Sequence, residues 1–125
     1  MEEQKQVVKR VADFSQSPGP RFMEQGASSG EQFYNEALSK WFKEALSQGK
    51  TLVVVLDGTY GYLTSFLDES FGRLVYYNSA DTVRNNLKIV SQVEPEWIRL
   101  LNDKTFVNWE KRRLEGEAPR ITIAG

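Results

Sequence analysis

The stretch Thr51–Leu74, TLVVVLDGTYGYLTSFLDESFGRL, constrains the rest of the chain more than any other. It reads as a buried strand that breaks at a glycine-rich corner and restarts as a helix. Leu52 to Leu56 are consecutive apolar residues with three valines among them. Such a run suits a strand covered on both faces, and so a parallel or mixed sheet clad in helices. Asp57 ends the run. Gly58 and Gly61 let the backbone turn with positive φ, and Thr64 or Ser65 is then placed to cap the next helix, with Asp68 in capping-box register to Ser65. Ligands and partners of open α/β sheets usually bind outside the carboxyl ends of the strands, so function is expected at this corner.

The remaining elements arrange themselves around that strand. Val7 to Phe14, VVKRVADF, alternates like a strand, SQSPGP turns the chain, and RFMEQG returns as a second strand, so a β-hairpin is the expected opening. Ser28 and Glu31 form an S-x-x-E capping box for a first helix. Its apolar positions Phe33, Ala37, Leu38, Trp41, Ala45 and Leu46 recur at helical spacing up to a stop at Gly49. A second helix, about Phe66 to Tyr76, places Leu67, Phe71, Leu74 and Val75 on its core stripe and Asp68, Glu69 and Arg73 on its surface face. Ser70 and Gly72 are small enough to let it lie close on the sheet. Ser79 or Asp81 caps a short helical turn, and Asn86 to Ser91 reads as another strand. Pro95 opens a last helix with Trp97, Ile98, Leu101 and Thr105 on one stripe, and a bend or break is expected near Asn102 and Asp103. The expected fold is a single α/β domain over residues 1–114, a mixed central sheet opened by a hairpin, with about three main helices. Residues 115–125 are a tail, either a short strand, RITIA, or a disordered end.

Composition narrows the chemistry. Sixteen basic residues against seventeen acidic ones give a net charge of −1, so no global field draws nucleic acid or an anionic membrane. Lys111, Arg112 and Arg113 read as a solvated helix face. The absence of cysteine excludes disulfides, thiol catalysis and thiolate metal sites, and the absence of histidine removes the commonest metal ligand and general base. No metal or cofactor is expected. The string LDGT is close to the D-x-D-G-T signature of aspartate-nucleophile phosphatases, but the nucleophile position falls on Val55. GTYGY lacks the lysine and hydroxyl of a phosphate loop. No apolar run is long enough to span a bilayer and MEEQKQVVKR is charged rather than signal-like, so a soluble, cytoplasmic protein is expected.

Three blocks then carry a resemblance: FSQSPGPRF with Gly26, SSGEQFY, and LDGTYGYLTSFLDESFG. Their order and spacing over about Val7 to Leu101 resemble the STAS-like domain family of bacterial proteins of unknown function, related to anti-sigma factor antagonists. The resemblance implies a STAS-like fold and a non-enzymatic regulatory module that binds a protein partner, with a GHKL-type ATP-binding kinase in the same circuit. In typical STAS domains a D-S-S-G box at the start of a helix supplies the serine that such a kinase phosphorylates. Leu63, Thr64, Ser65 and Phe66 stand in its place here, so the aspartate and glycine of the box are missing. Ser65 is the implied phospho-acceptor, Thr64 the alternative, and Asp57 matches the strand aspartate. The unmodified form would bind and the phosphorylated form release.

Asp57, Gly58, Tyr60, Gly61, Tyr62 and Asp68 are the candidate partner surface. Tyr60 and Tyr62 form the apolar heart of an interface or cover the end of the sheet. Asp57 shapes that surface or bonds the Gly58 to Tyr60 turn in an Asx fashion. Arg21 pairs with an acid such as Asp57 or Glu69, or contacts a partner's phosphate. Two other functions fit the same residues: a constitutive scaffold or targeting domain in which Ser65 is only a cap, and an enzyme using Asp57 and Asp68, which requires a concave pocket between them.

Overall fold

A computed structural model describes residues 5–122. Strands β1 (Gln6–Arg10), β2 (Thr51–Val55) and β3 (Leu87–Val90) form one sheet in the order β1-β2-β3, and both pairings are parallel. Five helices accompany it: α1 (Val11–Phe14), α2 (30–47), α3 (Thr64–Asn78), α4 (Ala80–Asn86) and α5 (96–115). The sheet is therefore parallel rather than mixed. Its order never reverses, and since parallel crossovers are right-handed, successive crossover helices fall on the same face. Leu52, Val54 and Leu56 accordingly join one core cluster with Phe33, Phe42, Leu74, Val83 and Trp109, while Val53 and Val55 stay outside it. Among the described residues the expected cover on both faces is replaced by two layers, helices on one side of the sheet only.

The expected opening hairpin does not form. β1 ends at Arg10, and Val11, fully buried, starts a helical turn closed by the Ser15 N–H donating to the Val11 carbonyl. The return segment adds no strand to β1, which lies at the edge of the sheet and pairs only with β2 among the described residues. Its backbone instead embraces the start of α2. The Gly19 N–H donates to Ser28, while the carbonyls of Pro20 and Arg21 accept from Gly30 and Glu31. Residues 23–25 form a 3₁₀ turn.

The cap of α2 also lies one residue later than expected. Ser29, buried, accepts from the Gln32 N–H, whereas Ser28 sits at φ 57 and donates its own N–H to the Gln32 side chain. Glu31 is thereby free of capping. Of the two expected caps of α4, Ser79 and Asp81, it is Ser79 that accepts from the Thr82 N–H.

Near Asn102 and Asp103 the last helix does not break. It widens into a π turn, Leu101–Thr105, and continues. The extra residue shifts the phase of the buried stripe, so Leu101 and Thr105 are followed at once by Phe106 and then Trp109. A similar π turn, Tyr34–Leu38, lies within α2. Gly72 of α3 faces α5 rather than the sheet, and a Cβ there would overlap the Trp109 indole. No helix among the described residues is long and apolar enough to cross a membrane. Residues 117–122 carry no regular secondary structure, and the rest of the RITIA segment, 123–124, lies outside the described residues.

Candidate functional site

The corner joining β2 to α3 brings Asp57, Gly58, Tyr60, Gly61 and Tyr62 together. Gly58 and Gly61 adopt φ +99 and +135, the conformations that require glycine. Asp57 bonds across the sheet end instead of closing its own turn. Its carboxylate accepts the N–H groups of Gln92 (3.0 and 2.9 Å) and Val93 (2.8 Å), fixing the loop after β3. Those N–H groups hold the carboxyl below its usual range.

The two corner tyrosines diverge. Tyr62 turns inward: its hydroxyl donates to the Leu56 carbonyl at 2.6 Å, and its ring lies against Phe66 and Trp97. Burial pushes its phenol up to about 12. Tyr60 points out, 85% exposed, while its N–H donates to the Gln16 carbonyl. Beside it Leu63 is 56% exposed. Tyr62 therefore covers the sheet end, while the Tyr60 ring stays exposed.

Neither Thr64 nor Ser65 caps α3. Leu63 holds the cap position in extended conformation with no side-chain cap, so Thr64 and Ser65 are the first two helical residues. Their N–H groups have no protein acceptor among the described residues. Thr64 is exposed and Ser65 half-buried. Thr64 also lines a groove of about 340 Å³ with Trp97, Arg99, Leu100, Asp103 and Lys104. A second groove of about 350 Å³, between Ser17, Pro18, Tyr60 and Leu63, adjoins the corner.

Asp68 is not part of this surface. It accepts from Arg21 at 2.7 Å, from the Trp109 indole at 3.2 Å and from the Thr105 hydroxyl at 3.3 Å, so it brackets α3 against α5. A small cavity of about 70 Å³ beside Asp57 is lined by Tyr62, Ser91 and Trp97 but not by Asp68. This cavity therefore does not join the two carboxylates. Among the described residues no three acids converge in a way that could hold a metal ion.

The acids and arginine expected on the surface of α3 belong to a buried network. Arg21 meets Glu69 at 2.9 Å, as one of its two expected partners, and Asp68 rather than Asp57. Glu69 also accepts from the Arg73 guanidinium at 2.7 Å, and Arg73 lies 3.8 Å from Glu31 and reaches the Arg120 carbonyl. Glu31, Glu69 and Arg73 are almost fully buried. Glu31 accepts from the Met23 N–H and from both the N–H and hydroxyl of Thr122. Burial pushes its carboxyl up, but these bonds and the Arg73 charge outweigh that and hold it below its usual range. For Arg21, burial opposes the charge and is overcome by Asp68 and Glu69, so its pKa rises. The sequence signal for this network was the i, i+4 spacing of Glu69 and Arg73, which also fits an exposed pair.

A family model described as "STAS-like domain of unknown function (DUF4325)" matches residues 29–97. No curated protein and no solved structure matches the chain. The match runs from the cap of α2 to the first turn of α5 and contains β2, the whole corner, α3, α4 and β3. It covers more than half of the 125 residues, and on that ground the chain belongs to the family of STAS-like domains of unknown function.

Proposed function

We propose that this chain is a non-enzymatic regulatory interaction module, resembling an anti-sigma factor antagonist, that docks a protein partner through the corner from Asp57 to Ser65. Phosphorylation of a hydroxyl at the start of α3, by a GHKL-type ATP-binding kinase, releases that partner. The observation that carries this reading is the exposure of Tyr60 and Leu63, 85% and 56%, directly before the hydroxyls of Thr64 and Ser65 at a helix start without a side-chain cap. An exposed aromatic beside an aliphatic side chain is suited to the centre of an interface. A phosphate added next to it brings nearly two negative charges into the contact.

Further features support the switch. The unpaired N–H groups of Thr64 and Ser65 suit a phosphate, and Arg99 and Lys104 line the adjoining groove. Asp68 and Glu69 would repel it if free, but Arg21 pairs with both. Ser65 is the acceptor that the resemblance to typical STAS domains implies, while the greater exposure of Thr64 favours that hydroxyl as the alternative. Every ~1.4 kcal/mol of repulsion weakens the contact about tenfold, so a single phosphate suffices for release.

The test uses wild type and the Ser65→Ala, Ser65→Glu, Thr64→Ala and Thr64→Glu variants as baits in lysate of the source cell. A protein held by wild type and both alanine variants but lost with one glutamate variant identifies the acceptor. Equal retention by all five makes the domain a constitutive adaptor.

A further inference from the structure

Among the described residues the unreversed strand order leaves one sheet face with no helix packed on it. By alternation and register Val8, Val53, Val55 and Val90 share that face with Arg10 and Lys88. Val8 is 59% exposed, Val55 and Val90 are half-buried, and Val53, on the central strand between Val8 and Lys88, is 6% exposed; none of the four valines belongs to the core cluster. A parallel sheet that is apolar on a bare face is rare, because such sheets ordinarily bury both faces.

Charge and size select what would cover it. Arg10 and Lys88 are exposed and make no ion pair among the described residues, and the three strands contain no acid. A second copy laid face to face would set these unpaired cations against their equivalents. Strands ~4.8 Å apart and ~3.3 Å per residue make the patch about 10 by 15 Å. That is far below the ~800 Å² per partner of a stable dimer. It matches a helix ~10 Å across and about three turns long.

We propose that this open face docks one amphipathic helix of a partner protein, with an apolar stripe on the valines and aspartate or glutamate along its rim against Arg10 and Lys88. The site lies on the sheet, and it stands or falls independently of a phospho-switch at Thr64 or Ser65.

Three synthetic helical peptides with one apolar stripe and rims of glutamate, glutamine or lysine test it, titrated into protein labelled at valine methyls. The glutamate-rimmed peptide should shift the methyls of Val8, Val53, Val55 and Val90, the glutamine-rimmed one should bind about tenfold more weakly, and the lysine-rimmed one not at all. Val8→Asp, at an exposed position, should abolish binding with the circular dichroism unchanged. Arg10→Glu with Lys88→Glu should reverse the preference toward the lysine rim. The proposal is overturned if the glutamate-rimmed peptide does not bind, if all three bind equally, or if the shifts fall elsewhere. Self-association of wild type that Val8→Asp removes would also overturn it.

Discussion

Glu69 and Arg73 face each other one turn apart on α3 at 2.7 Å, and both side chains are 3% exposed. Removing one partner leaves a buried charge without its counterpart, which costs far more than the net worth of the pair. Arg73→Met should therefore destabilise the fold by ~3 kcal/mol, since buried Glu31 loses its arginine and Glu69 keeps only Arg21. Urea unfolding at neutral pH measures it. A loss below ~1 kcal/mol would mean that water reaches these carboxylates.

Glu110 gives the acid limb of the stability curve a traceable part. Its carboxylate accepts from Arg113 on the same helix and from the Ala80 N–H at the start of α4. The Arg113 bond, against a smaller desolvation penalty and with help from Ala80, pulls its pKa from 4.5 to about 2. Because the folded value is the lower one, the stabilisation is complete above pH 4.5 and is lost as pH falls toward about 2. Glu110→Gln should lower stability at neutral pH and flatten the fall across that window. Parallel curves for wild type and variant through the same range would contradict the assignment.

Much of the site was legible because local chemistry decided it. The valine run, the positive φ of Gly58 and Gly61, Pro95 before the last helix and the disturbance near Asn102 all follow from backbone preference or a break in period. The opening hairpin failed because VVKRVADF satisfies two readings: it is a strand only to Arg10 and helical from Val11, and the return segment bonds its backbone to the start of α2 instead. The buried network was hidden for a related reason. Nothing near Glu69 or Arg73 in the chain announces that Glu31, Arg21 and the Arg120 backbone will close over them. Asp57 misled as well, since its partners lie in the loop after β3.

That cross-sheet role of Asp57 is measurable. Asp57→Ala removes the acceptor for both the Gln92 and Val93 N–H groups, so hydrogen exchange at those two amides should accelerate at least about tenfold while β2 amides are unchanged. Unaltered exchange at Gln92 and Val93 would show that the loop is held by Ser91 and its bond to Glu94 instead.

Gly72 should be intolerant of the smallest substitution. A Cβ there overlaps the Trp109 indole, which is itself buried and bonded to Asp68, so α3 and α5 must part. Gly72→Ala is expected to cost ~1–3 kcal/mol by overpacking, despite the higher helix propensity of alanine. Thermal unfolding beside Gly72→Ala combined with Trp109→Phe decides the cause. Relief in the double variant assigns the loss to the indole, and no relief sinks that explanation.

The two corner tyrosines should separate stability from binding. Tyr60 is 85% exposed and its side chain makes no hydrogen bond among the described residues, so Tyr60→Ala should change stability by less than ~0.5 kcal/mol. Tyr62→Phe keeps the ring against Phe66 and Trp97 but strips the Leu56 carbonyl of its donor, a loss of ~1 kcal/mol. If partner capture runs through the corner, it should fall with Tyr60→Ala, although that variant is as stable as wild type, and survive Tyr62→Phe below the melting point. The reverse pattern would place the contact on the fold that Tyr62 maintains rather than on the ring that Tyr60 presents.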